Sequence, residues 1–530
     1  MSRPRFFVTL FVVGLLATGF ISPAAAAARP AADGQSNCQG EDPGQDEDQG
    51  QNCHGLSEQQ RETLMSIARD TWPFFDADND PPTHLPMDNI GFRGAPAKGH
   101  YTSPTNIGMY FWGVVAARDL DFISRKGALD RAQKTLTAVE KLEKWHGFLF
   151  SWYSTQTGHR INGPFNPTDS AFRDQQGSPP KGEFLSAVDN GWYAAGLILV
   201  RQAFPQLARR ATALLDETNT AQGTQGTHGF GIFYDNGPQD PMPNQSPAGQ
   251  QYGGYIAEVG PAGFHYGILN TETRIGAYVG IGTHTMPGDV WWRTWRTLPR
   301  SFTWQGQPPQ PPTPNLVTYR DPQSGKSFTV DEAHYNWPIA TGIPYVPSWG
   351  GSQFEALMDP LAIPEAEWGP KNFGINDLRY AQAQAKYATE FLGYPVWGLS
   401  PSSTPDDTGN YDAYGASRMA SNANCCPYDQ WAITPHASFI ALPFNTNQAY
   451  DNIQRMRTLF PDIYGPYGFY DALNPRTGQV GHRYLVLDEG MLFAGLFKVL
   501  TEDGLTKYYA RDPIIKAVHP YLAMTRFSVQ

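Results

Sequence analysis

The sequence predicts a mainly α fold, with long loops gathered at one end of the helices. Three observations carry this. Segments with helical apolar spacing recur from Leu56 to about residue 503. Strict two-residue alternation is rare, and its best stretches, His228 to Tyr234 and Val317 to Val330, are short. Between the helical segments lie long runs of Gly, Pro, Asn, Asp and aromatic residues, the kind of loop that carries function on a rigid scaffold. A chain of 530 residues is too long for one small domain. It suits two or three domains or one large helical toroid.

The elements follow in chain order. Arg3 and Arg5 precede an apolar run, Phe6 to Phe20, and then a run of alanines. This reads as a signal peptide over residues 1–28, cleaved near Ala26 to Ala28. A membrane anchor is the rival reading, but the run is short for a span of roughly 20 residues and small residues follow it. Cys38 lacks the small-residue context of a lipid-attachment site. A free, secreted, extracellular protein is expected. Residues 29–55 are polar, acidic and Gly/Gln-rich, and are expected to be flexible. Leu56 to Trp72 is helical through Leu64, Ile67, Ala68 and Trp72, with Ser57 as cap and Glu58 in its first turn. Thr105 to Leu120 reads as a buried helix and Leu129 to Trp145 as an amphipathic one. Further helices are expected at about 186–209, 266–283, 288–298, 352–359, 376–392, 436–442, 447–458 and 487–503. The Pro-rich stretch Gln307 to Asn315 reads as an insertion loop, so residues 56–530 are taken as one domain.

Composition narrows the function. The net charge is -11 with no basic stripe, which argues against a nucleic-acid partner. After the leader, no stretch is apolar enough for a membrane span. Aromatic residues make up 13 % and charged residues only 17 %. Sugar clefts have this character because a pyranose stacks its C–H face on a ring; a large Trp-containing core has it too. Cys38, Cys53, Cys425 and Cys426 allow three pairings. Either Cys38 joins Cys53 and leaves an adjacent Cys425–Cys426 bridge, or two crossed bridges pin the N-terminal arm to the 425 region. Export permits both.

Six segments place acids and rings together beside helix ends. In HGFLFSWYSTQTG, Trp152 and Tyr153 suit a cleft wall. In SAVDNGW, Asp189 lies in the first turn of a long apolar helix with Trp192 on its face, serving either the helix dipole or a sugar hydroxyl. In YGILNTETRIGAYVG, Glu272 interrupts a buried pattern of Ile268, Leu269, Ile275 and Val279. Burial raises a carboxyl pKa, as a general acid requires, although Arg274 offers a structural partner. In PSWGGSQFEALMDP, Glu355 follows a Trp349-Gly-Gly turn. The long loop from Val396 to Gly415 carries Trp397, Asp406, Asp407, Asp412 and Tyr414, and its spacing matches no EF-hand. The last segment holds Tyr470 and Asp471 in YGPYGFYDALNP, then Asp488 and Glu489 at the start of the last strong helix. Paired carboxylates are what glycosidic hydrolysis needs. The chain has no G-x-S-x-G elbow, no Walker loop, no H-E-x-x-H and no Cys/His zinc spacing.

With these six segments in order, the sequence resembles the glycoamylase-like family, which includes the cyclising domain of cyclic β-1,2-glucan synthases and is related to endo-β-1,2-glucanases. The resemblance implies an (α/α)6 barrel with its active site at one rim. It implies that Glu272 is the general acid, that Glu355 is the second catalytic carboxyl, and that Asp189 binds sugar or assists. Trp349, Trp397, Tyr414 and Tyr470 would line subsites, with Trp152, Trp192, Asp412, Asp471 and Glu489 as further substrate contacts. The chain departs from the family pattern in the SPSSTPDDTGNYD loop, in Glu489 where Gln is common, and in its Asn-Cys-Cys insertion. The expected function is hydrolysis or transglycosylation of a β-linked glucan, β-1,2-glucan first, by a monomer that needs no cofactor and no metal and whose partner is an oligo- or polysaccharide. A different glycan on the same scaffold and a non-catalytic glycan-binding protein are the alternatives.

Overall fold

In the computed structural model, residues 55–93, 98–161, 174–175, 183–238 and 246–529 are described. The signal peptide expected at 1–28, the polar segment to residue 54, and Cys38 and Cys53 lie outside them. The described part is mainly helical, and Leu56–Gln530 is one compact unit. Its principal helices are α1 (Glu58–Asp78), α2 (Pro104–Asp119), α3 (Arg125–Lys141), α4 (Ala187–Ala203), α5 (Ala208–Thr218) and α6 (Arg274–Gly282). They continue with α7 (Gln353–Leu357), α8 (Phe373–Lys386), α9 (Pro435–Ala441), α10 (Thr446–Leu459), α11 (Val486–Thr501) and α12 (Pro513–Lys516).

Burial sorts these helices into two sets. Helix α2 is buried without a break from Pro104 to Ala117, as a helix apolar all round must be. Helix α4 is buried from Asn190 to Val200, and α11 from Asp488 to Phe497. Helix α3 buries only the stripe Ala128, Ala132, Thr135, Leu136 and Val139, as a helix with one wet face does. The buried helices neighbour one another in sequence order: α2 packs on α4, α4 on α6, α7 on α9, α9 on α11, and α11 returns to α2. Arg274, first residue of α6, bridges the remaining step by donating to the Ala356 carbonyl of α7 at 3.1 Å. Each has a further companion: α3 on α2, α5 on α4, α12 on α6, α8 on α7, α10 on α9 and α1 on α11.

Most predicted helices form near their expected bounds. Ser57 caps α1 by accepting from Gln60 N at 3.2 Å. Helix α3 starts and ends about one turn early, and Lys144–Trp145 then pairs with Phe148–Leu149. The helix expected at 376–392 ends regularly at Lys386 and passes into a π turn, Tyr387–Phe391. Three expectations are corrected. His228 to Tyr234 is not a strand but a 3-10 turn at Gly229–Phe233. The helix expected at 288–298 is confined to Asp289–Arg293. The helix expected from 266 begins only at Arg274, because the backbone of 267–269 is taken by Trp295: Trp295 N donates to Gly267 O and Leu269 N to Trp295 O, both at 2.8 Å. Glu272 therefore stands in the turn before α6, not inside a helix. The candidate strand at Val317 to Val330 forms a hairpin, Leu316–Arg320 with Ser327–Asp331. Among the described residues no helix is long and apolar enough to cross a membrane.

Candidate active site

The starts of the buried helices meet around one set of acids. Thr105, in the first turn of α2, donates to Asp189 Oδ1 in the first turn of α4 at 2.6 Å. Asp189 and Glu272 both act on the Tyr266 hydroxyl, whose pKa is raised by burial first and then by these two charges. Glu272 in turn lies within the field of Glu355, at the third position of α7. Ser400 Oγ accepts from Phe354 N of α7 at 3.2 Å and lies 3.0 Å from Nε2 of His436, in the first turn of α9. His436 Nδ1 is 3.4 Å from Asp488 in the first turn of α11. Asp88 closes the circuit: its carbonyl accepts from Val486 N of α11, and its carboxylate from Asn106 Nδ2 of α2, both at 2.9 Å.

Glu272 and Glu355 have opposite surroundings. Glu355 is 4 % exposed and sits among donors. Ser348 Oγ donates to Oε2 at 2.6 Å, Gly350 N to both oxygens at 2.9 and 3.0 Å, and Ser352 N to Oε2 at 3.2 Å. Tyr428 donates to Oε1 at 3.3 Å. Ser352 completes a capping box with Glu355, so the cap of α7 also fixes this carboxyl. Burial raises its pKa, and the donors pull the other way by favouring the ionised form. Glu272 has no such cradle. Its Oε2 is buried with no hydrogen-bond partner. Burial, and then the charge of Glu355, push its pKa up to about 8. Arg274 is not the ion-pair partner that its sequence position offered. Its guanidinium is bonded to both oxygens of Glu365 at 2.8 Å and lies 3.6 Å from Asp359.

A second acidic pair lies at the α11 side. Asp471 accepts from Ser403 N at 2.6 Å and lies beside Asp488, close enough for each charge to act on the other. Two carboxyls in that contact need one proton between them. Burial, then the charge of Asp471, raises Asp488 far above the ordinary range. His436, Asp471 and Asp488 bring ligand-type atoms within 4.8 Å of one another, which is the chemistry of a metal site. The His436 nitrogens already face the Thr434 and Ser400 hydroxyls, and burial holds the ring neutral with a pKa of about 3. The trio reads better as a proton-sharing acid pair beside a neutral imidazole.

The other predicted residues divide by position. Trp152 is half-buried, edge-on to Tyr101 at 5.7 Å, and Trp349 is half-buried, edge-on to Trp304 at the same spacing. Asp412 is half-buried beside Asp429, whose charge adds to burial in raising its pKa. Tyr470 is 7 % exposed and packs on Tyr484. Glu489 is 2 % exposed with Oε2 unpartnered, and burial followed by the charge of Asp471 raises it. Tyr414 is fully buried against Trp431. Trp397 is 3 % exposed, and Trp192, 1 % exposed, packs on Trp112, so both stand in the helix core rather than on an open wall. Sequence reasoning missed Tyr428, Tyr266, Tyr411, Ser348 and Asp88. Tyr411 stands 53 % exposed, while burial of its hydroxyl end and then the charges of Asp488, Asp471 and Glu272 raise its pKa. A signal was present only for Asp88, an acid in a Pro/Asp loop.

Residues 332–509 match the family described as "Glycoamylase: Putative glucoamylase". Residues 66–252 match a second family, described as "Protein of unknown function (DUF3131)". The glycoamylase match holds Glu355, Asp471 and Asp488, the second match holds Asp189, and Glu272 falls between them. The chain is 23 % identical over 556 residues to the cyclic β-(1,2)-glucan synthase NdvB of Rhizobium meliloti, an alignment covering 87 % of this chain. The chain spans only 18 % of that relative's length. Among solved structures it is similar to a β-1,2-glucanase from Parabacteroides distasonis, with TM-score 0.62, 17 % identity, and coverage of 88 % of this chain and 60 % of that one. It is also similar to an endo-β-1,2-glucanase from Chitinophaga pinensis in complex with sophorotriose and glucose, with TM-score 0.60, 16 % identity, and coverage of 88 % and 98 %. The resemblance implied by the six motifs therefore holds, and the solved structures establish a shared fold.

Proposed function

We propose that this chain is a secreted glycoside hydrolase or transglycosylase acting on a β-linked glucan, with β-1,2-glucan as its first substrate. One observation carries the reading: Glu272 is a carboxyl with its buried Oε2 unpartnered and its pKa raised to about 8, beside Glu355, a carboxyl held by donors. Two acids driven apart in this way take different roles. Glu272 gives its proton to the glycosidic oxygen as the bond to the anomeric carbon breaks. Glu355, ionised, attacks the anomeric carbon or takes a proton from the attacking water. Asp189, fixed by Thr105, accepts a sugar hydroxyl. The half-buried rings of Trp152 and Trp349 offer faces to pyranose units.

The closed run of α2, α4, α6, α7, α9 and α11, each with its companion, supports reading the scaffold as an (α/α)6 barrel. In this reading residues 1–28 are the signal peptide, and residues 56–530 are one catalytic domain working outside the cell as a monomer without a cofactor. The substrate class comes from the relatives, whose names specify β-1,2-glucan.

The test is product analysis on a polysaccharide panel that includes β-1,2-glucan. New reducing ends mean hydrolysis and cyclic products mean transglycosylation. Binding without products would make the chain a glycan-binding protein. Near-full activity in a correctly folded Glu272→Gln variant would overturn the assignment of the acid. A second reading has its own observation, because the Tyr411 hydroxyl feels both Glu272 and Asp471. In it Asp471 is the base of an inverting reaction. Inversion at the anomeric carbon, with activity surviving in Glu355→Gln and lost in Asp471→Asn, would select it.

A further inference from the structure

The loop from Ser421 to Gln430 includes the Asn-Cys-Cys insertion, and it is tied to the cradle of Glu355 by its backbone. Ser421 N donates to Ser348 O at 3.1 Å and Asn422 N to Trp349 O at 3.0 Å. Asn424 N donates to Trp304 O at 3.0 Å. The amides of Cys425 and Cys426 both return to Asn422 O, at 2.9 and 3.2 Å, and Asn422 Nδ2 donates to Cys426 O at 2.9 Å. The two sulfurs, on neighbouring residues, are within bonding distance of each other and on the exposed side of the loop. Two residues later the chain delivers Tyr428. Its ring lies flush on Gly350, where an added Cβ would meet the ring at 2.0 Å. Its hydroxyl reaches Glu355 Oε1 and also lies within the field of Glu272. A cavity of about 480 Å³ is lined by Asn424, Pro427, Tyr428 and Asp429 of this loop, and neither Glu272 nor Glu355 is among its lining residues.

We propose that Cys425 and Cys426 form a vicinal disulfide that clamps this loop and thereby holds Tyr428 in its hydrogen bond to Glu355. The proposal rests on Glu355 being a catalytic carboxyl. Tyr428 is a positioning residue, acting through the ionised form of Glu355. The bond forms by exchange with an oxidised dithiol: two thiols lose two protons and two electrons, and the donor disulfide takes them up as two thiols. A small dithiol such as dithiothreitol reverses the step. Reduction frees Cys425 and Cys426 from each other, loosens the hold on Tyr428, and removes a donor that favours the Glu355 carboxylate.

The experiment uses the full secreted chain. Alkylation without reduction, followed by peptide mass spectrometry, is expected to show a Cys425–Cys426 peptide with no alkyl group and lighter by two hydrogens. Two alkyl groups on that peptide would overturn the proposal. Hydrogen exchange in residues 421–430 is expected to quicken after dithiothreitol, and unchanged exchange would also overturn it. Neither reading depends on activity, so both remain decisive if no β-glucan is cleaved. With activity, reduction is expected to lower kcat/KM about tenfold, the worth of one hydrogen bond to a charged group, and to raise the pH of the acid limb. Tyr428→Phe is expected to show the same fall and shift, with no further response to reductant. A Cys425→Ser/Cys426→Ser variant keeps Cys38 and Cys53 and is expected to be insensitive to reductant. If it responds as the wild type does, the other cysteines are responsible and the clamp is excluded.

Discussion

At the scale of single residues, the contrast between Glu272 and Glu355 sets a pH dependence. A general acid works only while protonated, so kcat/KM is expected to fall as pH rises through about 8, where Glu272 loses its proton. Glu355→Gln removes the second-largest cause of that high value. The Glu272 carboxyl is then expected to titrate at lower pH, as followed by carbon NMR of labelled glutamate, whatever activity remains. An unmoved titration would mean that the two carboxyls do not sense each other. Ser348→Ala removes the 2.6 Å donor to Glu355 and is expected to lower kcat/KM by about tenfold, with a loss of about 1–3 kcal/mol in stability because Gly351 N and the Tyr380 hydroxyl lose the same partner. Glu272 was legible in the sequence because an acid within Ile and Leu residues demands an explanation. Its helix was not, since Trp295 captures the preceding backbone from more than twenty residues away. Tyr428 was illegible for the same kind of reason: it meets Glu355 across 73 residues of chain, and nothing in its neighbourhood announces the contact.

At the scale of elements, most helices were legible, though Ala208–Thr218 and Pro513–Lys516 were not expected, while packing was written in glycines that the periodicity passes over. A Cβ on Gly196 of α4 would lie 2.9 Å from Gly108 Cα of α2. A Cβ on Gly495 of α11 would lie 2.2 Å from the Phe439 carbonyl of α9. Alanine is a better helix former than glycine by about 1 kcal/mol, yet here it must push two backbones apart. Gly495→Ala is therefore expected to destabilise by about 1–3 kcal/mol, read as a lower denaturant midpoint, with Gly196→Ala milder. A stabilised Gly495→Ala protein would show that the helices can separate freely. Arg274 is a second element-scale anchor, joining α6 to α7 through Ala356 O while pairing with Glu365 and lying 3.6 Å from Asp359. Arg274→Met leaves those acids unpaired in the core, a loss of about 3–5 kcal/mol. Its expected signature is a lower melting temperature or insoluble expression, rather than a shifted pH profile.

At the scale of the whole molecule, the buried acids have a collective effect. Burial raises Asp78, Asp377, Asp488 and Glu489 far above their ordinary values, with Glu272 raised to about 8. In the folded chain these groups keep protons that the unfolded chain releases above the ordinary carboxylate range near pH 4. Between that range and their folded values, the unfolded state binds fewer protons, so stability falls as pH rises. Asp119, Glu140 and Asp321 act in the opposite sense, but their folded pKa values are lowered, and their change is complete once pH exceeds about 5. Above that, only the raised acids still titrate among these carboxyls, and the buried His334 and His436, lowered to about 4 and about 3, oppose them only below the ordinary histidine value near 6.5. The melting temperature is therefore expected to be higher at pH 5.5 than at pH 8.5, in buffers of equal ionic strength. Asp488→Asn, which removes one titrating group while keeping its shape, is expected to flatten that slope. A melting temperature that rises from pH 5.5 to 8.5 would mean that these acids are ionised in the folded state. Cations or solvent would then have to stand beside them, and the proton assigned to Glu272 would lose its physical basis.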